Sequence, residues 1–172
     1  MNDLKLRNFT MGNSQPLTLM GGMNVLESRD LVLKVAEKFK LISDKLEINY
    51  IFKGSFDKAN RSSVSSFRGP GMDEGLKLLQ EVSIEFNVPV VTDIHEPDQA
   101  KPVSEVCEVV QIPAFLARQT DLVVAAAKTD TILQFKKPQF LSAPEMKNII
   151  EKCESAGNSK ITLCERGNSF GY

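Results

Sequence analysis

Positive side chains recur in this sequence wherever a short apolar run ends. "INYIF" runs straight into Lys53, and Ser55, Lys58, Asn60, Arg61 and Ser62 follow, with Asp57 as the opposing charge. "LTLMGGM" ends in Asn24, and "VPVVT" ends in Asp93, His95 and Glu96. "VVQIPAF" carries Gln111 and Ala114, "TILQF" runs into Lys136 and Lys137, and "KITLC" into Glu165 and Arg166. Arg offers a two-pronged fork and Lys a point charge, and together they suit phosphate and carboxylate groups. Lys53, Lys58, Arg61, Lys136 and Arg166, with Arg118 as a further candidate, would repel one another without an anion. A solvated surface position explains any one of these lysines. It explains the set poorly, because several members directly follow apolar runs. The expected ligand is a phosphorylated or polycarboxylate small molecule, and Asp57 reads as the charge partner of Lys53 and Lys58.

Weaker signals accompany this set. His95 is the single histidine. With Asp93 and Glu96 it suits a metal site or a general base, and it suits a hydrogen-bonded structural role equally well. "GGMN" and "RGPG" fit neither a P-loop nor a dinucleotide fingerprint, and "RGPG" reads as a turn within a loop. Cys164 reads as a small buried hydrophobe rather than a nucleophile.

The elements that must position these residues follow one repeating pattern. An apolar, β-branched run is followed by an amphipathic helical stretch, six strands in all. Continuous apolar strands alternating with helices imply a parallel sheet buried on both faces, either a doubly wound open sheet or a (β/α)8 barrel short of two units. Ser28 is placed to cap a helix whose Leu31, Val32, Val35, Ala36 and Phe39 share a face. Thr120 and Ser142 are placed to cap "DLVVAAAK" and "APEMKNIIEKC", and Gly157 to end the latter. Residues 1–16 read as an N-terminal hairpin cap. In parallel α/β folds, ligands bind at the carboxyl ends of the strands, where the polar residues fall here.

Composition narrows the function classes. A chain of 172 residues with 42% hydrophobic and 25% charged residues suits one globular domain. A net charge of -1 argues against non-specific nucleic-acid binding. No apolar run approaches the ~20 residues of a membrane helix, and no secretory signal is visible. Three scattered cysteines read as reduced thiols of a cytoplasmic protein.

The segments "GGMNVLESRDL", "FKGSFDKANRSSVSSFRGPG", "VPVVTDIHEPDQA", "QIPAFLARQTDL", "FKKPQFLSAPEM" and "CERGNSFGY" together resemble the 3-deoxy-D-manno-octulosonate 8-phosphate synthases (2-dehydro-3-deoxyphosphooctonate aldolases) over nearly the whole chain. "SFDKANRSS" is the most specific of them. The "KPRTS" stretch of the related 3-deoxyheptulosonate-7-phosphate synthases is absent, and a synthase of that kind is the alternative reading. The resemblance implies a (β/α)8 barrel, a homotetramer, and a cytoplasmic enzyme condensing phosphoenolpyruvate with D-arabinose 5-phosphate for lipopolysaccharide synthesis. It implies that Lys53, Ser55, Lys58, Gln111, Lys136 and Arg166 hold phosphoenolpyruvate, with backbone donors near Ala114. Asn60, Arg61 and Ser62 would bind arabinose 5-phosphate, with Arg61 and Ser62 reaching a neighbouring subunit. Lys58 would polarise the aldehyde, and Asp93 and Asn24 would shape the centre. Asn24, where other members carry a metal-binding Cys, implies the class that works without metal or other cofactor.

Barrels of this kind take about 250 residues. The expectation is therefore a single incomplete barrel domain over 1–172, about six of eight βα units, cut short at its C-terminus. Such a chain would be inactive alone, or would at most bind a phosphorylated ligand.

Overall fold

A computed structural model describes residues 3–169. Residues 1–2 of the expected hairpin cap and 170–172 of the final segment lie outside the described residues. A short antiparallel hairpin, β1 (Leu4–Lys5) and β2 (Thr10–Met11), precedes the repeating part, as expected. There follow β3 (Thr18–Met23), α1 (Arg29–Lys45), β4 (Asn49–Gly54), α2 (Met72–Glu85), β5 (Val90–Asp93), α3 (Ala100–Ser104), β6 (Val109–Ile112), α4 (Thr120–Ala127), β7 (Ile132–Lys136), α5 (Met146–Ser155) and β8 (Ile161–Cys164).

The six later strands lie in the order β3-β4-β5-β6-β7-β8. The registered pairs β3/β4, β4/β5, β6/β7 and β7/β8 are all parallel. A doubly wound sheet reverses its strand order at a switch point, whereas a (β/α) barrel adds strands in sequence order. The fold is α/β, with the topology of a (β/α)8 barrel of which the described residues supply six strands.

The chain divides into two compact units, 1–92 with 106–108, and 93–105 with 109–172. In the first, Ile51, Phe52, Phe56, Leu26, Val32, Ala36, Leu79 and Val82 are fully or almost fully buried. The expected apolar face of α1 is narrower than its sequence spacing implies. Val32 and Ala36 are buried, Val35 and Phe39 half-buried, and Leu31 exposed. Ser28 caps α1, its hydroxyl accepting from the Leu31 N–H at 3.4 Å. Arg29 of α1 makes a two-pronged contact with Glu81 of α2. The hairpin cap is tied down by Leu4 and Leu6, both buried, by Asn8 donating to the Asn87 carbonyl at 2.6 Å, and by the Arg7–Glu108 ion pair.

In the second unit the other two expected caps fail. Thr120 is the first residue of α4 rather than its cap, and its hydroxyl accepts from Lys152 Nζ at 2.8 Å. Ser142 lies four residues before α5. There Glu145 reaches back, its carboxylate accepting from the Ser142 N–H and hydroxyl, both at 2.8 Å. Those bonds hold the Glu145 carboxyl below its usual range, the backbone N–H of Ser142 contributing most. Gly157, at φ 94°, does end α5: Gly157 N bonds to Glu154 O and Asn158 N to Cys153 O, both at 3.0 Å.

Candidate active site

The stretch after β4 builds the first cluster. β4 brings Lys53 to the end of a strand whose Ile51 and Phe52 are fully buried. Beside it, β3 approaches closely only because position 22 is glycine: a Cβ there would lie 2.2 Å from the Lys53 carbonyl oxygen. That is the use of the "GGMN" glycines, and Asn24 follows directly, exposed. Ser55 is completely buried, and its hydroxyl oxygen accepts from Lys53 Nζ at 2.9 Å and from Lys58 Nζ at 2.8 Å. One oxygen therefore gathers two ammonium groups.

Backbone bonds fix this arrangement. Leu26 N donates to Ser55 O at 2.9 Å, Gly71 N to Phe56 O at 3.1 Å, and Lys58 N to Arg68 O at 2.7 Å. The last two clamp the loop 58–68 at its base. Asp57 belongs to the same clamp, which corrects the reading of it as the partner of Lys53 and Lys58. Its carboxylate accepts from both arms of Arg68, with Nε at 2.8 Å. Arg68 was missed in the sequence, although its place just before "GPG" put it across the loop from Asp57. Within the loop, Asn60, Arg61 and Ser62 are exposed, and Arg61 Nε donates to the Phe67 carbonyl at 3.2 Å. "RGPG" is an extended passage into α2 rather than a hydrogen-bonded turn, with Gly69 at φ 125° and Gly71 at φ 85°.

The second cluster lies in the other unit. Buried Asp93 sits at the end of β5, its Oδ2 3.5 Å from His95 Nε2. His95 N donates at 2.8 Å to the Gln99 side chain, and Glu96 and Gln99 cap the short turn Pro97–Gln99 reciprocally. Glu96 is thus engaged with backbone, and the three residues do not converge on a metal. Among the described residues no group of three or more His, Cys, Asp or Glu could hold one. Gln111 is buried in β6, and Ala114, also buried, opens a one-turn helix.

Along β7 burial alternates. Leu133 and Phe135 are buried, while Gln134 and Lys136 are half-buried on the opposite face. Lys136 pairs in register with Cys164 of β8, and exposed Arg166 follows two residues later. Neither Lys136 nor Arg166 makes an ion pair or a side-chain hydrogen bond among the described residues. Arg118 is exposed two residues before α4, near enough to Glu145 to lower its carboxyl further. Cys164 is half-buried rather than a core residue, because β8 is the last strand of the sheet. The first cluster can hold a compact anion by point charges. The second carries a guanidinium, an ammonium and a carboxylate–imidazole pair.

The model of the DAHP synthetase I family matches residues 3–172. The chain belongs to that family. Within it, this synthetase-family chain is similar to proteins named 2-dehydro-3-deoxyphosphooctonate aldolase. It is 60% identical over 169 residues to that of Pseudomonas putida (strain GB-1), covering 98% of this chain. It is 59% identical to that of Pseudoalteromonas translucida (strain TAC 125) and 57% identical to that of Pseudomonas aeruginosa PAO1, over the same share. The chain spans 60% of the length of each of these curated relatives.

Proposed function

We propose that this family member is a transferase that condenses phosphoenolpyruvate with D-arabinose 5-phosphate, giving 3-deoxy-D-manno-octulosonate 8-phosphate and inorganic phosphate for lipopolysaccharide synthesis. The observation that carries this reading is the pair of ammonium groups gathered on Ser55 Oγ at the end of β4. Two cations so close form a seat for a dianion such as a phosphate ester. The name borne by relatives of about 60% identity supports the choice of substrates.

In this reading Lys53, Ser55, Lys58, Gln111, Lys136 and Arg166 hold the phosphate and carboxylate of phosphoenolpyruvate, with backbone donors near Ala114. Asn60, Arg61 and Ser62, on the clamped loop, take the phosphate of the sugar, Arg61 and Ser62 across to a neighbouring subunit of a homotetramer. Bond making joins C3 of phosphoenolpyruvate to the aldehyde carbon. Lys58 polarises the aldehyde oxygen and stabilises the alkoxide that forms there. Water adds at C2, and the C2–O bond breaks as phosphate leaves. Asp93 and Asn24 shape the centre. An amide is a poor transition-metal ligand beside a thiolate, so Asn24 favours a reaction without metal. The protein would act in the cytoplasm; no helix among the described residues is long and apolar enough to cross a membrane.

The test is phosphate release by the full-length protein. It is expected to require both phosphoenolpyruvate and arabinose 5-phosphate, and to survive a chelator. Turnover with erythrose 4-phosphate in place of the pentose would move the assignment to a heptulosonate synthase. Loss with chelator that added metal restores would overturn the role given to Asn24.

A further inference from the structure

Lys137 has no part in the scheme above, yet its ammonium is surrounded by oxygens. It continues the buried face of Leu133 and Phe135, and it is 2% exposed. Its Nζ donates to Asn168 Oδ1 at 2.7 Å and to the carbonyl oxygens of Gly167 at 2.9 Å, Leu141 at 3.1 Å and Pro138 at 3.2 Å. Glu165 Oε1 lies 3.6 Å away. A buried ammonium is tolerated only when its donors are satisfied, and here five oxygens surround it.

Those oxygens come from two segments, one after β7 and one after β8. The backbone joins the same two segments, through Lys137 N to Cys164 O at 2.9 Å and Ser169 N to Gln139 O at 2.7 Å. Glu165 Oε1 also accepts the backbone N–H groups of Arg166 at 2.8 Å and Gly167 at 2.6 Å. Arg166 therefore sits between residues that are held on both sides, while its own side chain is left to solvent. Lys136 immediately precedes the anchoring lysine and points to the other face.

We propose that Lys137 is a positioning residue. Its ammonium locks the segment 165–168, so that Arg166 is presented to an anion in one place, together with Lys136. The link to phosphoenolpyruvate rests on the proposed function; the lock itself does not. A merely structural lysine would affect folding and both substrates alike. A positioning lysine affects the substrate that Arg166 and Lys136 hold.

The full-length wild type, Lys137→Met, Lys137→Arg and Asn168→Ala proteins separate these cases through amide hydrogen exchange and steady-state kinetics. In Lys137→Met, exchange at Gly167 and Ser169 is expected to rise at least tenfold while α4 and β6 stay protected. KM for phosphoenolpyruvate should rise at least tenfold, with KM for arabinose 5-phosphate within twofold of wild type. Lys137→Arg keeps the charge, but its planar fork does not fit a cradle shaped for an ammonium, so it should behave like Lys137→Met. Asn168→Ala removes one acceptor and should give a several-fold rise in the same KM. It decides the matter if Lys137→Met does not fold. Unchanged exchange at Gly167 and Ser169 overturns the lock. A loosened segment with unchanged KM for phosphoenolpyruvate, or an equal loss for both substrates with exchange raised throughout, overturns the positioning role. If the wild type releases no phosphate from these substrates, the proposed function fails, and the exchange data alone still decide the lock.

Discussion

Replacing Ser55 by alanine deletes one oxygen and isolates the feature on which the proposed binding of phosphoenolpyruvate rests. That oxygen is within hydrogen-bond reach of both Lys53 Nζ and Lys58 Nζ, so the two nitrogens can be no farther apart than its two bonds together allow. Two unit charges at such a separation, roughly 5.5 Å, repel by about 3 kcal/mol at an effective dielectric constant of about 20. The hydroxyl dipole between them offsets part of that repulsion. A hydrogen bond from a charged donor contributes about 1.5–3 kcal/mol. Both lysines are half-buried, so water replaces some of what Ser55→Ala removes. A net loss of about 1.5–3 kcal/mol in transition-state binding is expected, or a fall of about tenfold to a hundredfold in kcat/KM for phosphoenolpyruvate. The same two bonds are made in the unliganded fold, so the melting temperature is expected to fall as well while the protein still folds. Steady-state kinetics on the full-length variant, with calorimetry to verify folding, measure both. A well-folded Ser55→Ala enzyme with kcat/KM within twofold of wild type would refute the bridging role.

Three further expectations follow from the same geometry. Gly75→Ala in α2 would gain about 1 kcal/mol of helix propensity. Its Cβ, however, would lie 2.3 Å from Phe56 Cβ, and overpacking of that kind costs about 1–3 kcal/mol; thermal melts should show a net loss and kinetics a disturbed Ser55–Lys58 segment, and a stabilised variant would contradict the packing described. Burial pushes the Cys153 thiol up to about 11 and the Cys107 thiol higher still, so a thiol reagent at pH 8 should modify half-buried Cys164 first in the native protein; early modification of Cys107 would contradict this. The Glu145 and Glu165 carboxyls are held below their usual 4.5, Glu165 chiefly by the Gly167 N–H. Because the folded state favours their ionised forms, their stabilisation is present above about pH 4.5 and lost as pH falls below it; melts of Glu145→Gln and wild type should converge in acid, and a constant gap down to pH 3 would contradict the assignment.

The order of strands and helices was legible because it rests on period and composition, which neighbouring residues set. The parallel sheet followed from short apolar strands that alternate with helices, a pattern that a doubly wound sheet shares; the barrel was implied by the resemblance. Ser28 was legible as a cap because nothing competes for its hydroxyl. Thr120 was not, since Lys152, far along the chain, takes its oxygen. The Asp57–Arg68 clamp depends on closing a loop, and sequence order hides which cation returns to that carboxylate. Lys137 and Lys136 look alike as a pair. Period-two alternation from Leu133 and Phe135 was the signal that separates them, since it places Lys137 on the buried face and Lys136 on the other. Asp93, His95 and Glu96 suggested a metal set by type alone. The Gln99 side chain, which recruits Glu96 into a cap, lies outside that triplet.

The central claim of the proposed function is that Lys53 and Arg166 each bind phosphoenolpyruvate. Calorimetric titration of phosphoenolpyruvate into the full-length wild type, Lys53→Met and Arg166→Met proteins tests it most directly. Each substitution is expected to weaken binding at least tenfold in a folded protein. Wild-type affinity in either folded variant would contradict the claim.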